Sequence, residues 1–237
     1  MVVKYNCFIF ILQSKLEIMP NHVINILEIS GHKKHVQDVL NAIKGSDGSC
    51  IDFNSFLPMP EEIRHVTAPV RIITPKEYKK QEEHQQLNEE PAFIGFSTGI
   101  TQKMQKDYLE RFGADNWYDW ANQHWGTKWG CYDQQMVDVF EAGDQATAQM
   151  SFQTAWSGGA HAIQQLSNSF TLVEFKLTYA DEDCGSNCGV ILFKEGCEVE
   201  ADIPDYGDAS MAIYFECWGG EEDWEKVDGE WKWRDEE

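Results

Sequence analysis

Apolar positions recur along this chain in two periods, two and three to four, and the alternation between them sets out its elements. His22–Ile29 is β-branched and apolar and reads as a strand, closed by Ser30-Gly31. Over Lys33–Lys44 the period lengthens. Val36, Val39, Leu40 and Ile43 fall on one helical face, and Gly45 stands where a helix C-terminal glycine belongs. Cys50–Leu57 sets Ile51 and Phe53 against Asp52 and Asn54, the mark of a half-buried strand. Pro58 and Pro60 end it, because proline cannot donate to a ladder.

The pattern returns after residue 145. Ala146–Trp156 alternates, with Ala148, Met150, Phe152, Thr154 and Trp156 on one face. Ser157-Gly158-Gly159 turns the chain into a helix over Ala160–Phe170, carrying Ile163, Leu166 and Phe170 on one side. Thr171–Tyr179 alternates again, with Val173, Phe175, Leu177 and Tyr179 inward. Two strand–helix–strand units in tandem are the ferredoxin-like arrangement. The expected fold is therefore α+β: a ferredoxin-like (βαβ–βαβ) antiparallel sheet with a helical, Trp-rich insertion at about 61–145 and an acidic β-rich C-terminal extension over 181–237.

Within the insertion, Lys76–Glu90 is charged and reads as a mobile loop or an exposed helix. Thr101–Phe112 reads as a helix stopped by Gly113, and Asp115 as the cap of a second helix, Asn116–Trp125. In the extension, Val190–Phe193 and Glu198–Ile203 flank a hairpin turn at Glu195-Gly196, and Met211–Cys217 reads as a further strand. Trp224–Val227, Asp228-Gly229 and Glu230–Trp233 form a two-residue hairpin pattern in which Trp224 faces Trp233 and Glu225 faces Lys232.

Charge changes the functional picture. The 237 residues carry a formal net charge of −21, and residues 181–237 hold 19 acids against 4 bases. Such a field repels phosphate backbones, which excludes nucleic-acid binding through a basic surface. It allows either a solvated acidic face or a surface that imitates nucleic acid toward a basic partner. The seven cysteines are odd in number and scattered, so free thiols in a reducing compartment are the simplest account, and the expected location is the cytoplasm. Cys7–Leu12 is an apolar run too short to span a bilayer. Translation is expected to start at Met19, with residues 1–18 an upstream extension or disordered leader and 19–180 the ferredoxin-like domain.

Several separated motifs resemble one family. Asn116-Trp117-Tyr118-Asp119-Trp120 and His124-Trp125-Gly126-Thr127-Lys128-Trp129 are the most distinctive. Met19-Pro20-Asn21-His22, Phe56-Leu57-Pro58-Met59-Pro60 and Thr154-Ala155-Trp156-Ser157 accompany them in order. Together, over roughly residues 19–180, the chain resembles the YubB-type proteins with a ferredoxin-like domain, found on phages, plasmids and related bacterial mobile DNA. The resemblance implies no agreed activity, cofactor or catalytic residue. Where that family tends to have proline after the Trp-Ser of the third strand, this chain has Gly158-Gly159, which reads as a looser turn.

The candidate ligand or partner site is drawn from the aromatic run: Asn116, Trp117, Asp119, Trp120, His124, Trp125, Lys128, Trp129 and, from the third strand, Trp156. Four tryptophans in thirteen residues either pack the insertion onto the sheet, the favoured reading, or line a binding surface. His124 reads as a satisfied structural histidine, and Asp119 and Lys128 as a pair. Catalytic residues are not assignable. No Walker loop, GxGxxG, GxSxG or HExxH is present. Cys184, Cys188 and Cys197 are the only cysteine cluster; plain thiols are favoured over a structural zinc. No cofactor or metal is expected. The leading functional reading is a non-enzymatic binding or regulatory protein, with a host or phage protein as partner and no membrane. An RNA or single-strand binding module, and an enzyme using Asp119 or His124 in the Trp-rich cleft, are the alternatives.

Overall fold

The computed structural model describes residues 20–88 and 98–234. The leader read at residues 1–18 lies outside them. A six-stranded sheet holds the molecule together, built from β1 (His22–His32), β2 (Tyr132–Ala142), β3 (Gln145–Ala155), β4 (Val173–Asp181), β5 (Cys188–Lys194) and β6 (Cys197–Asp202). Its spatial order is β2-β3-β1-β4-β5-β6, and every neighbouring pair is antiparallel. The first four strands, with α1 (Lys33–Ile43) after β1 and a long helix after β3, are the ferredoxin-like arrangement. β5 and β6 widen the same sheet.

β1 is the central strand. It pairs with β3 on one side and β4 on the other, and Val23, Asn25, Leu27 and Ile29 on its inner face are all fully buried. The chain enters α1 directly from β1, where the His32 side chain accepts the Lys34 N–H. Val36, Val39 and Ile43 then return the helix to the inner face of the sheet. Gly45 is not left-handed, so α1 ends through an extended Lys44 rather than a glycine cap.

The segment Cys50–Leu57 is not a strand. Asp52 accepts the Asn54 N–H and caps a single helical turn, α2 (Phe53–Phe56). A carboxylate that bonds its own backbone two residues on competes with ladder pairing. Ile51 and Phe53 are buried as the alternation required, but in an irregular segment: Phe53 meets Phe152 of β3 edge-on at 5.8 Å. The second strand of the fold is instead Tyr132–Ala142, which has no sequence alternation, since Met136, Val137, Val139 and Phe140 are all exposed. The excursion between α1 and β2 therefore lies inside the first strand–helix–strand unit.

That excursion contains α3 (Glu61–Arg64), α4 (Pro75–Asn88), α5 (Gln102–Phe112) and α6 (Trp117–His124). Parallel bridges join Val66 to Thr98 and Ile72 to Ile100. Ile63, Val66, Ile100, Tyr108, Trp120 and Trp125 carry it into the main core. Thr101 caps α5 and a left-handed Gly113 closes it.

α7 (Ala160–Ser169) covers β4 and β5 from the same side as α1. The Gly158-Gly159 turn before it is tight rather than loose. A Cβ on Gly158 would lie 2.7 Å from the Tyr179 ring, and one on Gly159 would lie 2.7 Å from Phe53. Met211–Cys217 is not a strand but part of α8 (Asp208–Trp218), whose start is capped by reciprocal bonds between Gly207 and Ser210. α8 packs on the opposite side of the sheet, where Ile213 and Trp218 meet Ala180 and Cys188. The chain closes with β7 (Trp224–Val227) and β8 (Glu230–Trp233), paired in the register read from sequence, Trp224 with Trp233 and Glu225 with Lys232.

Candidate functional site

The aromatic run folds as α6 and an irregular strap to residue 130, held against the C-terminal end of β3. Asn116, not Asp115, caps α6: its side chain accepts the Asp119 N–H at 2.9 Å and donates to Asp119 Oδ2 at 2.6 Å and Asp115 Oδ1 at 2.8 Å. Asp115 also accepts from Gln105, which ties α5 to α6. Trp120 and Trp125 are core residues, meeting edge-on at 5.3 Å, with the Trp125 indole N–H donating to Leu57 O at 3.0 Å. His124 stacks on Trp120 at 4.4 Å, and among the described residues its buried Nε2 has no hydrogen-bond partner. It is therefore not the satisfied histidine that the sequence reading favoured.

Thr127 clips the strap to β3. It donates to Ala155 O at 2.8 Å and accepts the Ala155 N–H at 3.2 Å. This brings Lys128 beside Trp156, which departs from the strand alternation. Ala155 is fully buried, and Trp156 turns outward at φ 71° with 38% of its surface exposed. A bulky side chain in the left-handed region is strained by roughly 1–2 kcal/mol. The backbone is pinned there by the Trp156 N–H on Asn21 O at 2.9 Å and by Asn187 donating to Trp156 O at 2.9 Å. The Lys128 ammonium consequently sits 4.4 Å from the Trp156 ring and 4.6 Å from the Trp129 ring. Among the described residues no carboxylate is within ion-pair distance of it, so Lys128 does not pair with Asp119.

Two open cavities share Trp117 and Lys128 as lining. The larger, about 630 Å³, also reaches Asp119, Trp156 and the Ala68-Pro69-Val70 turn. The smaller, about 390 Å³, adds Asn54, Arg64, Trp125 and Trp129. Asn116 borders the larger one; Trp120 and His124 border neither. The site thus gathers Asn116, Trp117, Asp119, Lys128, Trp129 and Trp156, with Trp125 as floor. It does not bring Asp119 and His124 into one pocket. Sequence carries no signal for Arg64, because residues 61–100 hold no recognisable motif, nor for Asn54, which the alternation of Cys50–Leu57 places in a strand; Met59 belongs to the Phe56–Pro60 motif.

The other distinctive surface is the acidic quarter. Every described carboxylate after Asp181 is exposed. β6 is an edge strand exposed at all six residues, carrying Glu198, Glu200 and Asp202, with exposed Val199, Ile203 and Tyr206 alongside. Two lysines of this quarter are engaged, Lys194 with Glu174 and Lys226 with Asp208, each at 2.7 Å. Among the described residues no three His, Cys, Asp or Glu side chains converge as metal ligands, and no helix is long and apolar enough to cross a membrane. On β1 and β3, the sheet face away from α1 and α7 presents Ile24, Ile26 and Glu28 opposite Gln153, Ser151 and Gln149. It has no ring at those positions on which a base could stack.

The fold thus defines an α+β protein with a ferredoxin-like sheet. Residues 125–228 match the family model described as the ferredoxin-like domain in Api92-like protein, a domain with no assigned function. The crystal structure of a protein api92 from Yersinia pseudotuberculosis is similar at a TM-score of 0.39 and 12% identity, over 80% of this chain and 99% of that one. No curated protein matches the chain.

Proposed function

We propose that the chain is a non-catalytic binding protein that takes a basic protein partner on its acidic C-terminal quarter, in the bacterial cytoplasm and in the service of phage or plasmid DNA. The observation that carries this reading is β6. Among the described residues its outer edge has no neighbouring strand, all six of its residues are exposed, and Glu198, Glu200 and Asp202 lie along it. An open edge offers backbone hydrogen bonds to an extended segment, and alternate side chains set its preference. Carboxylates along that edge favour a segment bearing Lys or Arg, and Val199, Ile203 and Tyr206 supply apolar contact. The separation of Asp119 from His124 supports binding over acid–base catalysis, since a general acid and base must reach one substrate.

Affinity capture with the wild-type chain and with an E198Q/E200Q/D202N variant tests the reading. A protein retained by the wild type at low salt, and lost both with the variant and at moderate salt, is the expected result, because exposed charge pairs are screened within about 10 Å at 0.1 M salt. Retention that neither the variant nor salt alters overturns it.

A further inference from the structure

We propose that the smaller cleft is a binding site for a small aromatic anion, a planar ring bearing one phosphate or carboxylate and no larger than a nucleoside monophosphate. Three observations converge on it. The first is charge. The chain has 40 acids to 19 bases, so a lining drawn at random would hold twice as many acids as bases. Among the described residues the lining of this cleft holds two bases, Arg64 and Lys128, and no acid.

The second is the state of those bases. Lys128 is held between two indoles and has no carboxylate partner among the described residues. Indole faces attract the ammonium but leave its charge uncompensated, so an anion entering the cleft meets a fixed and unneutralised cation. Arg64 is more engaged: it donates through Nη2 to Met59 O at 3.3 Å and Asn54 Oδ1 at 3.4 Å, and Glu61 lies 3.1 Å from its Nε. Glu61 is outside the cleft lining. The larger cavity on the other side of Lys128 carries Asp115 and Asp119, which disfavours an anion there.

The third is shape and surface. About 390 Å³ falls within the range of small-molecule sites, and Trp117, Trp125 and Trp129 supply indole surface for a planar ring. The left-handed backbone at Trp156 fixes one side of the Lys128 cage. Backbone strain of this kind gathers at ligand sites. This proposal does not depend on the protein partner at β6.

Calorimetry on the full chain tests it with four probes: adenosine monophosphate, indole-3-acetate, adenosine and inorganic phosphate. The two aromatic anions are expected to saturate one site, with adenosine and phosphate each weaker by about tenfold or more. Lys128→Met, which keeps the side-chain length, is expected to weaken both anions by about tenfold, and Lys34→Met on α1 to leave them unchanged. Should Lys128→Met fail to fold, Arg64→Met and the shifts of the Trp117 and Trp129 indole N–H resonances on titrating the wild type read the same site. The proposal falls if neither aromatic anion saturates at millimolar concentration, or if a folded Lys128→Met binds them as the wild type does. It falls equally if a single-stranded oligonucleotide binds about a hundredfold tighter than the monophosphate, which makes the cleft part of a strand track.

Discussion

At the scale of single residues, the fold depends most on a polar group in its core. Asn25 is fully buried on the central strand. It donates to Thr154 Oγ1 at 2.8 Å and to Val23 O at 3.1 Å, and it accepts the Gly159 N–H at 3.1 Å. One side chain thus joins β1, β3 and the start of α7. That bond also satisfies the Gly159 N–H at the start of α7. Asn25→Ala leaves a buried N–H and a buried hydroxyl short of partners, and we expect a loss of about 2–3 kcal/mol by urea denaturation. The thiols give a second residue-scale prediction. Burial pushes Cys131 and Cys217 up to about 12, while Cys197 is the exposed cysteine of the described residues. Alkylation of the native protein at mildly alkaline pH, followed by mass spectrometry, should label Cys197 first and leave Cys131 and Cys217 until the chain unfolds. Individual residues were legible in part. The aromatic run announced a special segment, but which indoles form the floor, the wall or the core depended on Thr127 clipping the strap to β3. No local pattern encodes that contact.

At the scale of elements, legibility followed whether an element buries one face. β1, β3, α1 and α7 each do so, and each lies where the pattern places it, as does β4, whose second face α8 also covers toward its end. β2 is an edge strand with nearly every residue exposed, so nothing constrains its sequence to alternate. α8 has the converse problem: it is apolar nearly all round, and a short apolar run does not distinguish helix from strand. The β7–β8 hairpin was legible because Asp228 and Gly229 are both left-handed, as the two-residue turn demands. What the sequence could not reveal is its docking. Asp208, in the first turn of α8, accepts from Lys226 Nζ at 2.7 Å and from the Trp231 indole N–H at 3.0 Å. Those bonds, Lys226 first and Trp231 second, hold the Asp208 carboxyl below its ordinary value. A folded value below the unfolded one stabilises the docked state in full above the ordinary carboxylate range. That contribution fades as the pH falls through the folded value, which lies under 3.8. Near-ultraviolet circular dichroism of the Trp224, Trp231 and Trp233 signals should therefore hold from neutrality to about pH 4 and change below it. Asp208→Asn should speed amide exchange over residues 224–233 at neutral pH, where the carboxylate is charged, and identical exchange in the two proteins there would exclude this anchor.

For the molecule as a whole, the decisive fact is that β1 supplies the middle of a sheet whose other members come from the second half of the chain. The family match begins at Trp125, so it takes in β2 through β7 and leaves β1 and α1 outside. A chain of residues 125–237 would then lack the strand between β3 and β4. Two long edges, each now paired over most of β1, would face solvent together with the inner-face side chains that Val23, Leu27 and Ile29 cover. α1 would be missing as well, uncovering the β3 side of the same core. Exposed edges and an open apolar face favour aggregation over folding, and the acidic charge on this half, which keeps the molecule dispersed, does nothing to close a sheet. We expect residues 125–237 expressed alone to show no cooperative thermal transition and to elute as aggregate. Co-expression of residues 19–60, which restore β1 and α1, should recover a soluble complex with the circular dichroism of the full chain. A cooperative, monomeric 125–237 fragment would mean that β3 and β4 can close on each other directly, and that β1 is an addition to the sheet rather than its centre.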